Sequence, residues 1–363
     1  MNAIDLFCGA GGMALGFEQA GVRVLAAVDA SEVSVLTYRC NFPHTEVIME
    51  NVAGLTARKL KLSTSLIDRP IDVVFGGPPC QGFSVGGKRA PGDPRNQLVL
   101  EFGRLVVELG PKYFVMENVA GYLRPEYTAI RQRFERVVRD GGYGLVRPIC
   151  VLNAAEFGVP QRRMRAFVLG YRESEAPPVY PTPKKRRVSV AEAIDDLRCI
   201  EGSALLLGDV YTGALGQPSA YARRLRAAAK MRARTVLTGC VRTKHSDETL
   251  RRFGLVVPGR AERVSRFIRL TGAGLAPTLR AGTGRENGRF MAPRPIHPEF
   301  DRCITVREAA RLHSYPDDFV FHEAKWHGIM QIGNSVPPLL ARAVATEIVR
   351  AAKRSVGGGT PKR

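Results

Sequence analysis

Short apolar runs alternate with amphipathic stretches over about the first 170 residues of the chain. The apolar runs predict strands at residues 3–7, 22–28, 46–49, 71–75, 113–116 and 165–169. The amphipathic stretches between them predict helices at 13–20, 32–40, 97–109 and 127–139. Strands that alternate with helices are typical of a sheet whose strands run mostly parallel. We therefore predict an α/β fold built on a doubly wound, mostly parallel sheet.

This alternation of predicted strands and helices is absent between about residues 176 and 300, which are rich in Gly, Arg and Thr. A segment with four prolines and a Lys-Lys-Arg-Arg run, 177–187, indicates a linker. Helical patterns return at 305–313, where Thr305 and Glu308 form a capping-box pair, and at 337–353. We predict a first domain at 1–175, a second, smaller irregular domain at 176–300, a return to the first domain at 301–353 and a disordered tail at 354–363.

The charge balance points to a polyanionic partner. Lys and Arg number 54 against 34 Asp and Glu, which gives a net charge of +20. The excess is densest at 223–269, where 14 basic residues face 3 acidic ones. Nucleic acid is the simplest partner for such a chain, and a solvated arginine-rich surface is the alternative.

Cysteine usage and hydropathy exclude several classes of protein. The seven cysteines are odd in number and contain no C-x-x-C pair, which argues against a disulfide framework and against a cysteine zinc site, so we predict no metal. No window holds the ~18 uncharged apolar residues that a membrane span needs, and the first residues lack a signal-peptide pattern. We therefore expect a soluble, intracellular protein without a membrane partner.

Cys80 stands in a segment that suits a reactive thiol. Residues 76–84 read Gly-Gly-Pro-Pro-Cys-Gln-Gly-Phe-Ser and follow the apolar run 71–75. The two prolines fix the backbone before the thiol, and the glycines allow a ligand to approach closely. The segment predicts a rigid turn that presents a nucleophile. The alternative is a buried structural cysteine, which would need no such turn.

Polar residues follow three other predicted strands. A glycine-rich turn at 5–12 follows the first strand, Asp29 ends the second and Glu117 ends the fifth. Ligands bind at the carboxyl ends of the strands in open α/β sheets, so Cys80 and Glu117 form a plausible pair of nucleophile and acid. Each of these residues could instead serve as a turn or cap. Residues 161–165 place Gln161, Arg163 and Arg165 on one strand face, which suits a planar polar ligand or a carboxylate.

Taken together, these segments resemble the ordered motifs of the C5-cytosine DNA methyltransferase family. The matching blocks are 5–12, 77–84, 93–98, 117–119, 161–165, 307–319 and 331–337. The resemblance implies the fold of methyltransferases that depend on S-adenosylmethionine. It also implies that 1–175 is the catalytic and cofactor-binding domain and that 176–300 is the target-recognition domain.

The family's residue roles carry over by position. The resemblance implies that Cys80 attacks C6 of a flipped-out cytosine in double-stranded DNA, that Glu117 engages N3, and that Arg163 and Arg165 hold the base and the carboxyl group. The implied contacts to S-adenosylmethionine are Phe7, Gly9, Gly11, Asp29, Asn51, Pro79, Leu98, Asn334 and Ser335. Asn51 departs from the family, which usually has Asp at this position, so either Asn51 or Glu50 would contact the adenine.

Two other functions remain open on the sequence. One is an RNA cytosine methyltransferase of the same family, although the Cys-Phe-Thr tripeptide of the tRNA-modifying branch is absent. The other is a catalytically silent DNA-binding relative. The resemblance also implies a cytoplasmic, nucleoid-associated bacterial monomer. The sequence does not reveal the DNA site or whether a separate restriction endonuclease is its partner.

Overall fold

The computed structural model describes residues 1–67, 69–79, 97–202, 209–231, 236–283 and 293–357. The chain forms two compact units. The first contains Met1–Asn153, Met164–Pro183 and Leu340–Arg363, and the second contains Ala154–Arg163 and Lys184–Leu339. The predicted return segment is thus divided, since its residues up to Leu339 belong to the second unit. The functional roles of the domains stay a prediction.

The first unit is built on an eight-stranded sheet, which confirms the predicted mostly parallel α/β fold and includes the six predicted strands. Its strands are β1 (Asn2–Leu6), β2 (Arg23–Asp29), β3 (Glu46–Met49), β4 (Val73–Gly76), β5 (Tyr113–Val119), β6 (Tyr143–Leu145), β7 (Cys150–Asn153) and β8 (Met164–Arg172). The order is β3-β2-β1-β4-β5-β8-β6, with β7 also paired to β8. Strands β1 to β5 pair in parallel, whereas β8 is antiparallel to β5, β6 and β7.

Five helices connect these strands: α1 (Gly12–Gln19), α2 (Glu32–Asn41), α3 (Ala57–Leu62), α4 (Leu98–Leu109) and α5 (Thr128–Asp140). The predicted cap of α2 is present, because the Ser31 side chain accepts a hydrogen bond from the Ser34 backbone N–H. Gly110 ends α4 in the left-handed conformation that favours glycine. The sequence pattern does not predict α3, β6 and β7, which are 6, 3 and 4 residues long.

Aromatic residues fill the core on the two faces of this sheet. Phe17 of α1 stacks on Phe75 of β4 with ring centroids 3.9 Å apart. Phe114 of β5 makes edge contacts with the rings of Phe102 and Phe134, whose helices cover it. These rings are fully buried, and burying each such side chain contributes about 1.5–3 kcal/mol.

The second unit has shorter and more scattered elements. They are α6 (Val190–Ile194), β9 (Val210–Tyr211), α7 (Ala220–Met231), β10 (Leu237–Thr238), α8 (Asp247–Gly254), α9 (Val306–Leu312) and α10 (Lys325–Asn334). The predicted capping box of α9 is present: Thr305 accepts from the Glu308 N–H, and Glu308 accepts from the Thr305 N–H. The last helix, α11 (Pro338–Gly357), includes the start of the predicted tail, and 358–363 lie outside the described residues. None of the described helices combines the length and the apolarity required to cross a bilayer.

Candidate active site at the strand ends

The turn between β1 and α1 is held by one carboxylate. The Gly9 backbone N–H donates a hydrogen bond to Asp29 Oδ2 at 2.8 Å, and the Ser31 N–H donates to Asp29 Oδ1 at 2.8 Å. Burial raises the pKa of the Asp29 carboxyl, and these N–H donors act in the opposite direction. The side chain that ends β2 therefore fixes the glycine-rich turn that follows β1.

This turn also requires glycine for steric reasons. Gly11 has φ +92°, and a Cβ at this position would lie 2.3 Å from the Phe42 ring. Phe7 has φ 58°, a left-handed conformation that is rare for a bulky residue. A Cβ on Gly9 would have no atom within 4 Å, so there is open space next to this part of the turn.

Ionisable groups are buried beneath the turn. Asp5 of β1 is 1% exposed, and the Tyr38 hydroxyl donates a hydrogen bond to its Oδ2 at 3.3 Å. Burial raises the pKa of Asp5 and of the Cys8 thiol well above their usual values. Cys8 therefore resists forming a thiolate.

Glu117 lies beside the backbone that leads to Cys80. Its Oε1 is 2.7 Å from Arg165 Nε, and the side chains of both residues are nearly buried. A Cβ built on Gly77 would lie 3.1 Å from Glu117 Oε2, so a side chain at this position would crowd this carboxylate. The neighbouring Asn118 amide donates to the Pro78 carbonyl at 3.3 Å. Cys80 itself lies outside the described residues, which resume at Gln97.

The two candidates for the adenine contact have different partners. Asn51 is exposed, and its Oδ1 accepts a hydrogen bond from the Ala53 N–H at 3.0 Å. The Glu50 carboxylate forms an ion pair with Lys59 Nζ, whose hydrogen bond and charge lower the Glu50 pKa. Within the described ranges the Asn51 amide N–H₂ donates no hydrogen bond, and its oxygen keeps a second lone pair.

Arg163 is in a different environment from Arg165. It is fully buried in the second unit, where Nη1 donates to the Leu279 carbonyl at 3.0 Å. Its Nη2 donates to the carbonyls of Gly333 and Ser335 at 2.7 and 2.9 Å. The predicted alternation is present, since Gln161 and Arg163 are buried whereas Met164 is 43% exposed. The partners identified for the Arg163 guanidinium are backbone carbonyl oxygens. Such contacts indicate that Arg163 positions the backbone.

Gln161 and His313 extend this network. Gln161 Nε2 donates to the Leu312 carbonyl and to His313 Nδ1, the latter at 2.9 Å. The imidazole thus carries its proton on Nε2, which lies 3.1 Å from the Ser335 carbonyl oxygen. No sequence pattern assigns a role to His313, although it lies in the block 307–319. Next to this network, Asn334 is exposed at the end of α10.

Many of the predicted site residues lie at one edge of the sheet. The pairing register aligns Leu6 with Val28 and Gly76, Gly76 with Met116, and Val119 with Arg165. The residues at this edge are Phe7, Gly9, Gly11, Asp29, Asn51, Pro79, Glu117 and Arg165. Leu98 begins α4, and Arg163, Asn334 and Ser335 belong to the second unit.

Comparison with known proteins identifies the family. Residues 1–350 match the family of C-5 cytosine-specific DNA methylases. The chain is 45% identical to the type II methyltransferase M.XorII of Xanthomonas oryzae, with 97% of this chain and 85% of the relative covered. It is 34% identical to M.DdeI of Desulfomicrobium norvegicum, with coverage of 96% and 88%.

Solved structures agree with this assignment. A candidate DNA modification methyltransferase encoded within an E. coli prophage superposes with a TM-score of 0.83 at 33% identity, over 97% of this chain and 99% of the other. The Dnmt2 methyltransferase of S. pombe shares the fold, with a TM-score of 0.60 at 17% identity over 96% and 98% of the two chains. The chain belongs to the C-5 cytosine-specific DNA methylase family.

Proposed function

We propose that this protein methylates C5 of a cytosine flipped out of duplex DNA, with Cys80 as the covalent nucleophile and S-adenosylmethionine as the methyl donor. The observation that carries the proposal is the position of Glu117. Its carboxylate lies beside Gly77, which belongs to the segment that leads to Cys80, and Arg165 orients this carboxylate. A nucleophile and an acid from neighbouring strand ends are what this chemistry requires.

The residues at the sheet edge fit the cofactor. The open space at Gly9, the fixed carboxylate of Asp29 and the exposed amide of Asn51 provide room and hydrogen-bonding groups for a nucleoside. S-adenosylmethionine, when bound, supplies a methyl group that is electrophilic because its sulfur is a sulfonium. We assign the adenine contact to Asn51 because Glu50 is paired with Lys59. Asn51→Ala should weaken cofactor binding in titration calorimetry, and a loss upon Glu50→Ala instead would contradict this assignment.

The protein's own groups make the cytosine reactive. Cytosine C5 is a poor nucleophile, so the Cys80 thiolate adds to C6 and pushes the electron pair towards C5. Glu117 shares its proton with N3, and Arg165 keeps the Glu117 carboxyl in position. After methylation a water molecule takes the C5 proton, the C6–S bond breaks, N3 returns its proton to Glu117 and the Cys80 thiolate is regenerated. The base must leave the helix because its C6 cannot be reached within the stack.

Four of the other six thiols are unsuitable for this role. Burial raises the pKa of Cys240 to about 12 and that of Cys303 to about 11, and it also raises the pKa values of Cys8 and Cys150. A thiol with a raised pKa carries little thiolate at neutral pH. Cys80 alone stands in the Pro-Pro-Cys segment.

The biological setting is also part of the proposal. Relatives such as M.XorII and M.DdeI are type II methyltransferases, which supports a role in restriction and modification. Duplex DNA is then the partner, with a separate endonuclease where such a system is complete. A monomer acting in the bacterial cytoplasm, with target recognition in 176–300, stays a prediction.

Methyl transfer from radiolabelled S-adenosylmethionine tests the proposal. The purified protein should label bacterial DNA and leave RNA unlabelled, and Cys80→Ser should abolish the label. The matched control is Cys40→Ser, which changes an exposed thiol on α2 and should stay near the wild-type rate. Label in RNA alone, or near wild-type transfer by Cys80→Ser, would contradict the proposal.

A further inference from the structure

The most basic stretch of the chain contains a β-hairpin at residues 259–269. Ala261 pairs with Ile268 in an antiparallel bridge, and the Glu262 N–H donates to the Phe267 carbonyl at 2.8 Å. The Arg266 N–H donates back to the Glu262 carbonyl at 3.0 Å. The tip of the hairpin is therefore a closed four-residue loop, 263–266.

Two buried charged residues hold the hairpin rigid. Glu262 is 4% exposed, and its Oε2 accepts a hydrogen bond from the Ser265 N–H within the tip. Burial acts to raise the pKa of Glu262, but the N–H donors of the tip and the charge of Arg252 keep it below its usual value. At the base, Arg269 is 5% exposed and donates to the Phe253 carbonyl at 2.6 Å and to Asp301 Oδ1 at 2.5 Å. Such a frame fixes the tip before any ligand arrives.

The tip presents cationic and apolar side chains to solvent. Arg263 and Arg266 are exposed, and Val264 is 67% exposed. Neither arginine forms an ion pair with a carboxylate in the part of the chain that the structure describes. Arg266 has φ 62°, a left-handed conformation that glycine or asparagine adopts far more readily. Stability of the fold alone would favour glycine at this position. An arginine in this strained conformation therefore indicates a functional role for its side chain.

We propose that the tip 263–266 enters the major groove of the substrate duplex and that Arg266 reads a guanine there. This inference rests on the proposed action on DNA. The major groove is about 12 Å wide and admits a two-stranded β-ribbon. Arginine donates two hydrogen bonds to O6 and N7 of guanine, and an apolar side chain such as Val264 suits a thymine methyl group.

Positive charge elsewhere in the same stretch serves a different purpose. Arg223 and Arg224 are exposed on α7, a regular helix, in a conformation that puts no strain on the backbone. Charge of this kind binds phosphates and carries no sequence information by itself. Arg224 therefore provides a matched control within the same unit.

Arg266→Gly tests the inference, because glycine removes the side chain and suits the left-handed backbone. The variant should keep or raise the Tm, since strain is relieved. It should tolerate other bases at one position of the methylated site, with discrimination at that position lowered about tenfold or more. Arg224→Ala should leave the methylated site unchanged. The readouts are bisulfite sequencing of DNA from expressing cells and binding of purified protein to matched duplexes.

Two results would overturn the inference. One is an unchanged methylated site and unchanged affinity in a folded Arg266→Gly protein. The other is equal weakening on all sequences with a lower salt dependence, which would make Arg266 a phosphate contact. Failure of the proposed function would instead show in the wild-type protein, which would then transfer no methyl group to DNA.

Discussion

The two units use their buried charges differently. In the first unit, Glu117 is a nearly buried ionisable group at a strand end, and its carboxylate faces the segment that leads to Cys80. In the second unit, arginines lie in the core. Among the described residues, the buried arginines are Arg163, Arg269, Arg302, Arg307 and Arg311, and all five belong to the second unit.

The backbone explains the difference. A sheet and its helices satisfy their own N–H and C=O groups, so the core of the first unit can be apolar. The second unit has short elements, which leave buried carbonyls without N–H partners. Arg307, for example, donates to the carbonyls of Thr238, Pro316 and Phe319 at 2.8–3.0 Å. Arginine has five N–H donors and replaces the missing secondary structure. Removing the Glu117 carboxyl should therefore affect chemistry, and removing a buried arginine of the second unit should affect stability.

The largest expected effect is on catalysis at the sheet edge. Glu117→Gln keeps the size of the side chain but removes its exchangeable acid proton, so kcat should fall by ~10²-fold or more. The Tm and cofactor affinity should change little. Glu126→Gln, at an exposed ion pair with Arg124, is the matched control and should keep full activity. Unchanged turnover in Glu117→Gln would remove this residue from the mechanism.

Next comes the stability of the second unit. Arg307→Met leaves several buried carbonyls without a donor, and we expect a loss of about 3 kcal/mol in the free energy of unfolding. Urea denaturation measures this loss. The exposed Arg224→Met should stay within about 0.5 kcal/mol. Equal free energies of unfolding for the two variants would show that Arg307 does not stabilise the second unit through hydrogen bonds to its buried carbonyls.

A smaller effect is the pH dependence of stability that comes from Asp5, which is buried beneath the turn between β1 and α1. Burial chiefly raises the pKa of Asp5, with Asp29 adding to the rise and the Tyr38 hydroxyl opposing it. The folded state then holds a proton that the unfolded chain releases, so this contribution to stability is lost as the pH rises above the usual range of Asp. Asp5→Asn should have a higher Tm than the wild-type protein at about pH 8, and this difference should disappear at about pH 4. The measurement is thermal unfolding across this pH range. A Tm difference between Asp5→Asn and the wild-type protein that does not change with pH would contradict a raised pKa of Asp5.

The sequence predicted the first unit better than the second, for a physical reason. Strands such as β3 (Glu46–Met49) and caps such as Ser31 depend on local patterns, and the structure reproduces them. The network of Gln161, Arg163 and His313 depends on residues more than 100 positions apart, such as Leu279, and no local pattern reveals it. The helix α10 was missed because its apolar periodicity is weak around Trp326 and His327.

The same distinction applies to the site. Asp29 and Glu117 are predicted as site residues because strand ends are recognisable in the sequence, whereas the proposed cofactor comes from the motif resemblance alone. The contrast between Arg163 and Arg165 could not be predicted, since the two residues are separated by one position and differ only in what surrounds them. Arg165 faces a carboxylate, whereas Arg163 faces the carbonyls of Leu279, Gly333 and Ser335.

Covalent trapping tests the central claim most directly. A duplex with 5-fluorocytosine at the methylated position, incubated with the protein and S-adenosylmethionine, cannot lose fluorine as it would lose the C5 proton. The account predicts a stable protein–DNA adduct whose mass includes one methyl group and whose linkage maps by peptide sequencing to Cys80. Cys80→Ser should give no adduct. A linkage to any of the other six cysteines, or normal product release without an adduct, would contradict the account.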